Sequence, residues 1–189
     1  HLSYLEKMDK YEKSPDKREE MLKEEIKSRM SAAEVSNIVF ENVNDAEKPF
    51  SYQYKVRVPN YAAKTGKRLF LQPGFFEYGS TPLFSSATRK YPIYFHYGWS
   101  EQDNIEIEVP KGFELDNAET PPTVEDPAKI GSLSFKITFD KTTGLLNYQR
   151  KFHFANKVYM FPSGAYTPVK GMFDAFNKAD LSPITFKQN

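Results

Sequence analysis

The most informative absence in this sequence of 189 residues is cysteine, which does not occur at all. Without cysteine the chain can form no disulfide, no thiolate metal site and no cysteine nucleophile. Histidine is scarce, with only His1, His96 and His153. No HxH or HExxH spacing links them, so the sequence predicts neither a bound metal nor a cofactor.

Long apolar runs and an excess of charge of one sign are also missing. No apolar stretch approaches the 18 residues that a membrane-spanning helix needs, so we expect no membrane span. The 26 Lys and Arg residues nearly balance the 25 Asp and Glu residues, and no segment is strongly basic. Nucleic acid is therefore not expected as a partner. Aromatic residues, by contrast, make up 15% of the chain, as in many β-sandwich cores.

The first 33 residues are dense in charge and differ from the rest. Ser14 can cap a helix that has Pro15 at its first position. Leu22, Ile26 and Met30 then recur every four residues as a narrow apolar stripe, which we expect to pack poorly or to need a neighbouring surface. The sequence thus predicts a charged helical segment over residues 1–33 and a second domain over 34–189. Because the chain opens at His1 without Met or a signal peptide, we expect a fragment of a longer protein.

From Val35 onward, apolar and polar residues alternate, which is typical of half-buried strands. Two hairpins are predicted, one joining 91–97 to 105–109 and the other joining 133–139 to 146–154. Thr167 and Pro168 are expected to begin a C-terminal helix. The predicted strands cover 35–43, 50–58, 69–71, 91–97, 105–109, 133–139, 146–154 and 184–187.

The predicted fold is an antiparallel β-sandwich of about seven or eight strands, mainly β, with an N-terminal charged helix and one C-terminal helix. Residues 72–90 and 116–129 are predicted to be loops. The expected core contains Tyr52, Tyr54, Phe95, Ile107, Phe135, Ile137 and Phe152.

Aromatic residues of the loops are the candidate ligand-binding residues. Trp99 is the sole tryptophan and is predicted to lie in the loop of the first hairpin. It could be a platform for a sugar or an anchor at an interface, but we favour packing into the end of the sandwich. Phe75, Phe76 and Tyr78 of the loop 72–90 join it as candidates for binding a peptide or a glycan.

The polar residues give weaker signals for chemistry. His96 and His153 are predicted on strands, facing away from the apolar side, and Glu106 and Glu108 form the polar face of a strand. The turn at residues 42–47 carries oxygen ligands that could suit calcium, although such residues are ordinary turn formers. Arg150 lies in phase with Tyr148 and Phe152, on the predicted buried face. An inward charge can stop an edge strand from recruiting partners, and ligand binding is a weaker alternative.

Six segments of the chain carry a family resemblance. They are RKYPIYF at 89–95, SEQDNIEI at 100–107, VPKGF at 109–113, GSLSF at 131–135, LNYQR at 146–150 and FDAFNKAD at 173–180. Together they resemble the C-terminal domain of unknown function of bacterial transglutaminase-like proteins, whose papain-like core lies upstream. The likeness runs from about Ala33 to Lys187.

The resemblance implies an accessory role outside the catalytic core. The Cys-His-Asp triad of that family belongs to the papain-like core, so no catalytic residue carries over to this chain. The expected function is that of a non-catalytic domain that packs against or positions an upstream core of the same polypeptide. The resemblance also implies an extracytoplasmic location: periplasmic, at the cell surface or secreted. A carbohydrate- or peptide-binding module that uses loop aromatics is the alternative.

Overall fold

The computed structural model describes residues 2–117, 121–155 and 158–188. The chain divides into two compact units, residues 1–61 and 62–189. This division rests on compactness, and the predicted boundary between residues 33 and 34 stays a prediction. None of the helices in the described residues is long and apolar enough to cross a membrane.

The first unit contains two helices and two strands: α1 (Leu2–Tyr11), α2 (Pro15–Arg29), β1 (Glu34–Glu41) and β2 (Ser51–Arg57). Helix α2 begins as predicted, because the Ser14 side chain accepts a hydrogen bond from the backbone N–H of Lys17. Its apolar stripe is at most 4% exposed, so the expectation of poor packing is wrong, whereas the alternative that the stripe uses a neighbouring surface fits its contact with β1. Helix α2 contacts β1, and it needs only a narrow apolar stripe to do so, because its charged residues remain on the solvent side.

Strands β1 and β2 form an antiparallel two-stranded sheet. Asn37 adopts a left-handed backbone conformation (φ 52°) where the pairing register shifts, which marks a β-bulge. Tyr52 stacks on neighbouring rings of the sheet yet is 37% exposed, so its predicted place in the core is wrong. A sheet of two strands covers its aromatic residues incompletely, and this is why strict alternation overestimated their burial.

The second unit holds the rest of the elements. Those before residue 118 are β3 (Ala63–Thr65), β4 (Arg68–Leu71), the 3₁₀ turn η1 (Phe75–Glu77), β5 (Ile93–Tyr94), β6 (Trp99–Glu108) and β7 (Phe113–Asn117). Those after residue 120 are β8 (Val124–Glu125), β9 (Gly131–Asp140), β10 (Leu145–Phe154), β11 (Met160–Phe161), η2 (Ser163–Ala165), α3 (Tyr166–Asp180) and β12 (Ile184–Gln188).

Two four-stranded antiparallel sheets organise this unit, with the strand orders β6-β10-β9-β8 and β3-β4-β12-β7. A short ribbon pairs β5 with β11. The predicted class, a mainly β and sandwich-like antiparallel fold with N-terminal and C-terminal helices, is confirmed. The described residues contain twelve strands rather than seven or eight, because strands of two to five residues leave little alternation in the sequence.

One predicted hairpin is correct and the other is wrong. Strands β9 and β10 pair in register through a turn that ends at Gly144, where φ is +72°. Residues 91–97 and 105–109, however, do not pair with each other: β5 pairs with β11, and β6 pairs with β10. Strand β6 begins at Trp99, earlier than predicted. The sequence of its first half resembles a polar loop, because two of the inward positions there are acids, Glu101 and Asp103.

Two further predictions need correction. The predicted loop at 116–129 includes the end of β7 and all of β8, while residues 118–120 lie outside the described residues. Helix α3 begins at Tyr166 with Ala165 at its N-cap, so Thr167 lies inside the helix and is not the cap. The predicted apolar face of α3 is buried, including Val169, Met172, Phe173 and Phe176.

Two apolar cores share one face of the β6-β10-β9-β8 sheet. The first core packs α3 and the β5–β11 ribbon against one end of this face and includes Phe152 and Phe154. The second packs the β3-β4-β12-β7 sheet against the other end and includes Leu146 and Tyr148. Of the predicted core residues, Phe152 is buried, and Phe95, Ile107, Phe135 and Ile137 are half-buried against these cores.

Candidate functional site

Arg150 lies on β10 between the two cores. Alternation along the strand places Tyr148 in the second core and Phe152 in the first, with Arg150 between them and only 3% exposed. Its predicted inward position is therefore correct. The edge-strand explanation for it is wrong, because β10 is paired on both sides, with β6 and with β9.

Four carboxylates surround the Arg150 guanidinium. Asp180, at the end of α3, accepts hydrogen bonds from Nε at 2.6 Å and from Nη2 at 2.9 Å. Glu101 of β6 accepts one from Nη1 at 2.8 Å. Asp103 Oδ2 lies 3.5 Å from Nη1, and Glu77 Oε1 lies 3.8 Å from Nη2. These five residues are called the Arg150 cluster below.

Burial and charge act in opposite directions on the acids of the cluster. Burial raises the pKa of Glu77, Asp103 and Asp180, and the positive charge of Arg150 only partly offsets this effect. For Arg150 itself, burial alone would lower the pKa, but hydrogen bonds to Asp180 and Glu101 and the negative charges of Asp180 and Glu77 raise it. The guanidinium therefore stays charged, whereas the acids compete for it.

Trp99 lies at the start of β6 and not in a hairpin loop, so its predicted location is wrong. The preferred alternative of packing into the sandwich fits the structure: Trp99 is half-buried, and its ring centroid is 5.0 Å from that of Phe154. Gly98 allows this packing, since a Cβ there would lie 1.9 Å from the carbonyl oxygen of Ala155. Trp99 Nε1 donates to Glu101 Oε1 at 2.9 Å, so Glu101 bridges Trp99 and Arg150.

The other three candidate aromatics lie in or next to η1. Phe76 is 50% exposed, while Phe75 and Tyr78 are half-buried, and the rings of Phe75 and Phe76 meet edge to face at 5.4 Å. Between them in the chain, Glu77 reaches the Arg150 cluster. The structure therefore connects this turn to Trp99 through charged residues, a link that no spacing in the sequence indicates.

A pocket of about 170 Å³ lies beside the cluster. Its lining combines acids with aromatic rings and includes Glu77, Trp99, Glu101, Arg150, Phe152 and Asp180. The arrangement can hold a small group that carries positive charge or hydrogen-bond donors on an apolar body.

The two internal histidines differ in their surroundings. His96 is exposed and lies outside the strands, edge-on to Tyr94 with ring centroids 4.8 Å apart, so its predicted strand position is wrong. His153 lies on β10 and faces away from the cores, as predicted, with Nδ1 at 2.7 Å from Ser100 Oγ. Its Nε2 atom is buried and has no hydrogen-bond partner among the described residues. Sequence reasoning missed this pair, since only the β6–β10 register brings Ser100 opposite His153.

Within the described ranges, no group of three or more His, Asp or Glu residues has an arrangement that could hold a metal ion. In the turn considered for calcium, the Asp45 carboxylate accepts the backbone N–H of Glu47, and Asn42 donates to the Pro49 carbonyl. Glu106 and Glu108 are exposed on the outer face of β6.

Comparison with known proteins gives one family and one solved structure. Residues 67–186 match the family described as a domain of unknown function with a solved structure, DUF3858. A crystal structure of a proposed protease from Parabacteroides distasonis is similar at 13% identity and a TM-score of 0.46. That match covers 55% of this chain and 19% of the other, so it spans about a fifth of the solved chain. The search of curated proteins found no match.

Proposed function

The chain belongs to the DUF3858 family, and on this premise we propose that it is a non-catalytic accessory domain of a larger, exported bacterial protein of the transglutaminase-like or protease-like kind. In this role it packs against, or positions, the catalytic core of the same polypeptide. The resemblance of residues 89–113 and 131–180 to the C-terminal domain of such proteins supports the proposal.

The observation that carries this proposal is the bridge through Glu101. Trp99 and Arg150 both line the pocket, and both donate to the same carboxylate, that of the partly exposed Glu101. Their hydrogen-bonding capacity is directed inward, as expected for groups that stabilise a scaffold.

An exposed apolar face gives the domain a surface for packing. On the β5–β11 ribbon, Ile93 and Phe161 point inward at 3% and 4% exposure. Tyr94 and Met160 are paired on the opposite face and are 59% and 64% exposed. Large apolar groups held on a paired backbone are typical of surfaces that another folded domain covers.

The test uses the full-length polypeptide, with and without residues 67–186. We expect the deletion to lower the Tm of the remaining domains or their activity, and the separate domain to bind them in trans. Replacing Tyr94 and Met160 by Ser should weaken that binding, while Tyr91→Ser, which changes an exposed tyrosine outside the ribbon, should not. Unchanged Tm and activity together with no binding would contradict the accessory role.

One observation favours a second candidate, the binding of a peptide or a glycan. Trp99 is half-buried yet lines the 170 Å³ pocket, where an aromatic ring can stack on a ligand. Because Trp99 is the sole tryptophan, its fluorescence reports on this pocket directly. Saturable quenching of this fluorescence by peptides or oligosaccharides would favour this candidate. Calorimetry should then show that the Trp99→Phe variant no longer binds the same ligand.

A further inference from the structure

The Arg150 cluster contains more acid than its cation can neutralise. If Glu77, Glu101, Asp103 and Asp180 were all ionised, four negative charges would face one positive charge in a largely buried site. Side-chain exposure falls to 13% at Asp103 and 5% at Asp180, so water screens these two charges least.

The hydrogen bonds single out one of these acids. Asp180 binds Nε and Nη2 of Arg150, and Glu101 binds Nη1. The Asp103 Oδ2 atom is buried and has no hydrogen-bond partner among the described residues. The charged groups that face Asp103 are Arg150 from β10, Glu101 from its own strand, Asp180 from α3 and Glu77 from η1, and the Tyr148 hydroxyl of β10 also lies within range of its charge. Of the three acids, Asp180 and Glu101 already bind the guanidinium.

We propose that Asp103 holds a proton in the folded domain under mildly acidic conditions and releases it as the pH rises, so that the Arg150 cluster is a pH-dependent contact joining β6, β10, α3 and η1. A neutral carboxyl group at this position avoids a buried charge whose counterion, Arg150 at 3.5 Å, already hydrogen-bonds Asp180 and Glu101. Burial, which raises the pKa of Asp103, acts in the same direction.

Glu77 is the member of the cluster that should respond to this proton. It reaches Arg150 only at 3.8 Å, its side chain is 26% exposed, and it belongs to the short turn η1, which lines the pocket. When Asp103 ionises, the added negative charge repels Glu77. Glu77 and η1 then move away from Arg150, and the pocket beside Trp99 widens.

The first measurement follows the carboxyl carbons of the unmodified chain by ¹³C NMR across pH 3 to 8. We expect the Asp103 carboxyl carbon to titrate at a higher pH than those of the exposed aspartates. Titration of Asp103 together with the exposed aspartates, or a late titration of Glu77 in its place, would overturn the proposal. This readout needs no variant and so does not depend on how any substitution folds.

The second measurement uses Trp99, whose indole N–H binds Glu101 of the cluster. Its emission should change with a midpoint that matches the Asp103 titration, and Asp103→Asn, which mimics the protonated acid, should remove this change. Glu106→Gln, which alters an exposed acid of the same strand, should leave it intact. The change must also persist in His153→Asn, which alters the residue next to Phe154, the cross-strand partner of Trp99. A transition that survives Asp103→Asn or disappears with His153→Asn would overturn the proposal.

Discussion

Asp180 occupies the last position of α3, where the free carbonyl groups of a helix give a partial negative charge. An acid there is unfavourable unless a cation compensates for it. Arg150 supplies that cation through two hydrogen bonds, and Gln72 donates to the backbone carbonyl of the same residue at 3.3 Å. Arg150 and Gln72 together therefore hold the end of the helix shortly before the chain enters β12.

We predict that Arg150→Met is strongly destabilising. The change leaves four partly buried carboxylates without their cation, and breaking a buried ion pair by removing one partner costs about 3–5 kcal/mol of unfolding free energy. Urea unfolding at pH 7 measures the loss. The loss should be smaller at pH 4, because protonation of the acids removes the uncompensated charge.

Lys151→Met is the matched control for Arg150→Met, since Lys151 is exposed on the outer face of the same strand. It should leave the unfolding free energy nearly unchanged. An Arg150→Met variant as stable as this control would show that the cluster contributes little to the fold.

Phe154 provides a second prediction at the residue scale. Its side chain is completely buried, and its ring lies 4.7 Å from that of Phe95 and 4.9 Å from that of Phe173. Phe154→Ala should lower the unfolding free energy by about 3–5 kcal/mol, because it removes buried area and leaves a cavity. Phe76→Ala, at an exposed ring, should cost far less in the same denaturation assay. Equal losses would contradict the assignment of the first core.

Among the elements, α2 shows how far sequence patterns reach. Ser14, Pro15 and the spacing of Leu22, Ile26 and Met30 correctly predict a helix, since capping and periodicity are local properties. The burial of the stripe could not be predicted, because it depends on which surface of the fold covers it. The same limit applies to β6: its inward acids are explained only by Arg150, about 50 residues further along the chain.

The packing of α2 leads to a prediction for that helix. Ile26 is 1% exposed, so Ile26→Ala should cost about 2–5 kcal/mol locally. Hydrogen exchange resolved by residue is the suitable measurement, because a chain with two compact units need not unfold in one step. Amide protons of α2 should exchange much faster in this variant. The control is Glu24→Ala, on the charged side of the same helix, which should preserve their protection.

At the scale of the second unit, one sheet serves two cores, and only part of this plan is visible in the sequence. The hairpin of β9 and β10 was predictable because its strands are long, alternate cleanly and meet at a turn. The pairings of β5 with β11 and of β4 with β12 join segments far apart in the chain, and spacing carries no information about them. The candidate site depends on the same long-range pairings, which is why Arg150 could be placed in the interior but its acids could not be named.

The last prediction concerns the whole molecule: on its own, the chain turns over no substrate. A papain-like route needs a thiolate, and the sequence has no cysteine. The closest substitute within the described residues is Ser100, whose Oγ lies 2.7 Å from Nδ1 of His153. In an active triad, an acid orients the imidazole through its second nitrogen. Here Nε2 of His153 is buried and no acid among the described residues binds it.

We therefore expect no turnover of glutamine-donor, peptide or glycoside substrates above the buffer rate. The assay compares the unmodified chain with Ser100→Ala and His153→Ala. Activity that co-purifies with the chain and is lost in both variants would mean that the pair is a working nucleophile, and the accessory role would then be wrong. Activity that both variants retain would not come from this pair and would point to a contaminant, since one variant lacks the nucleophile and the other lacks its base.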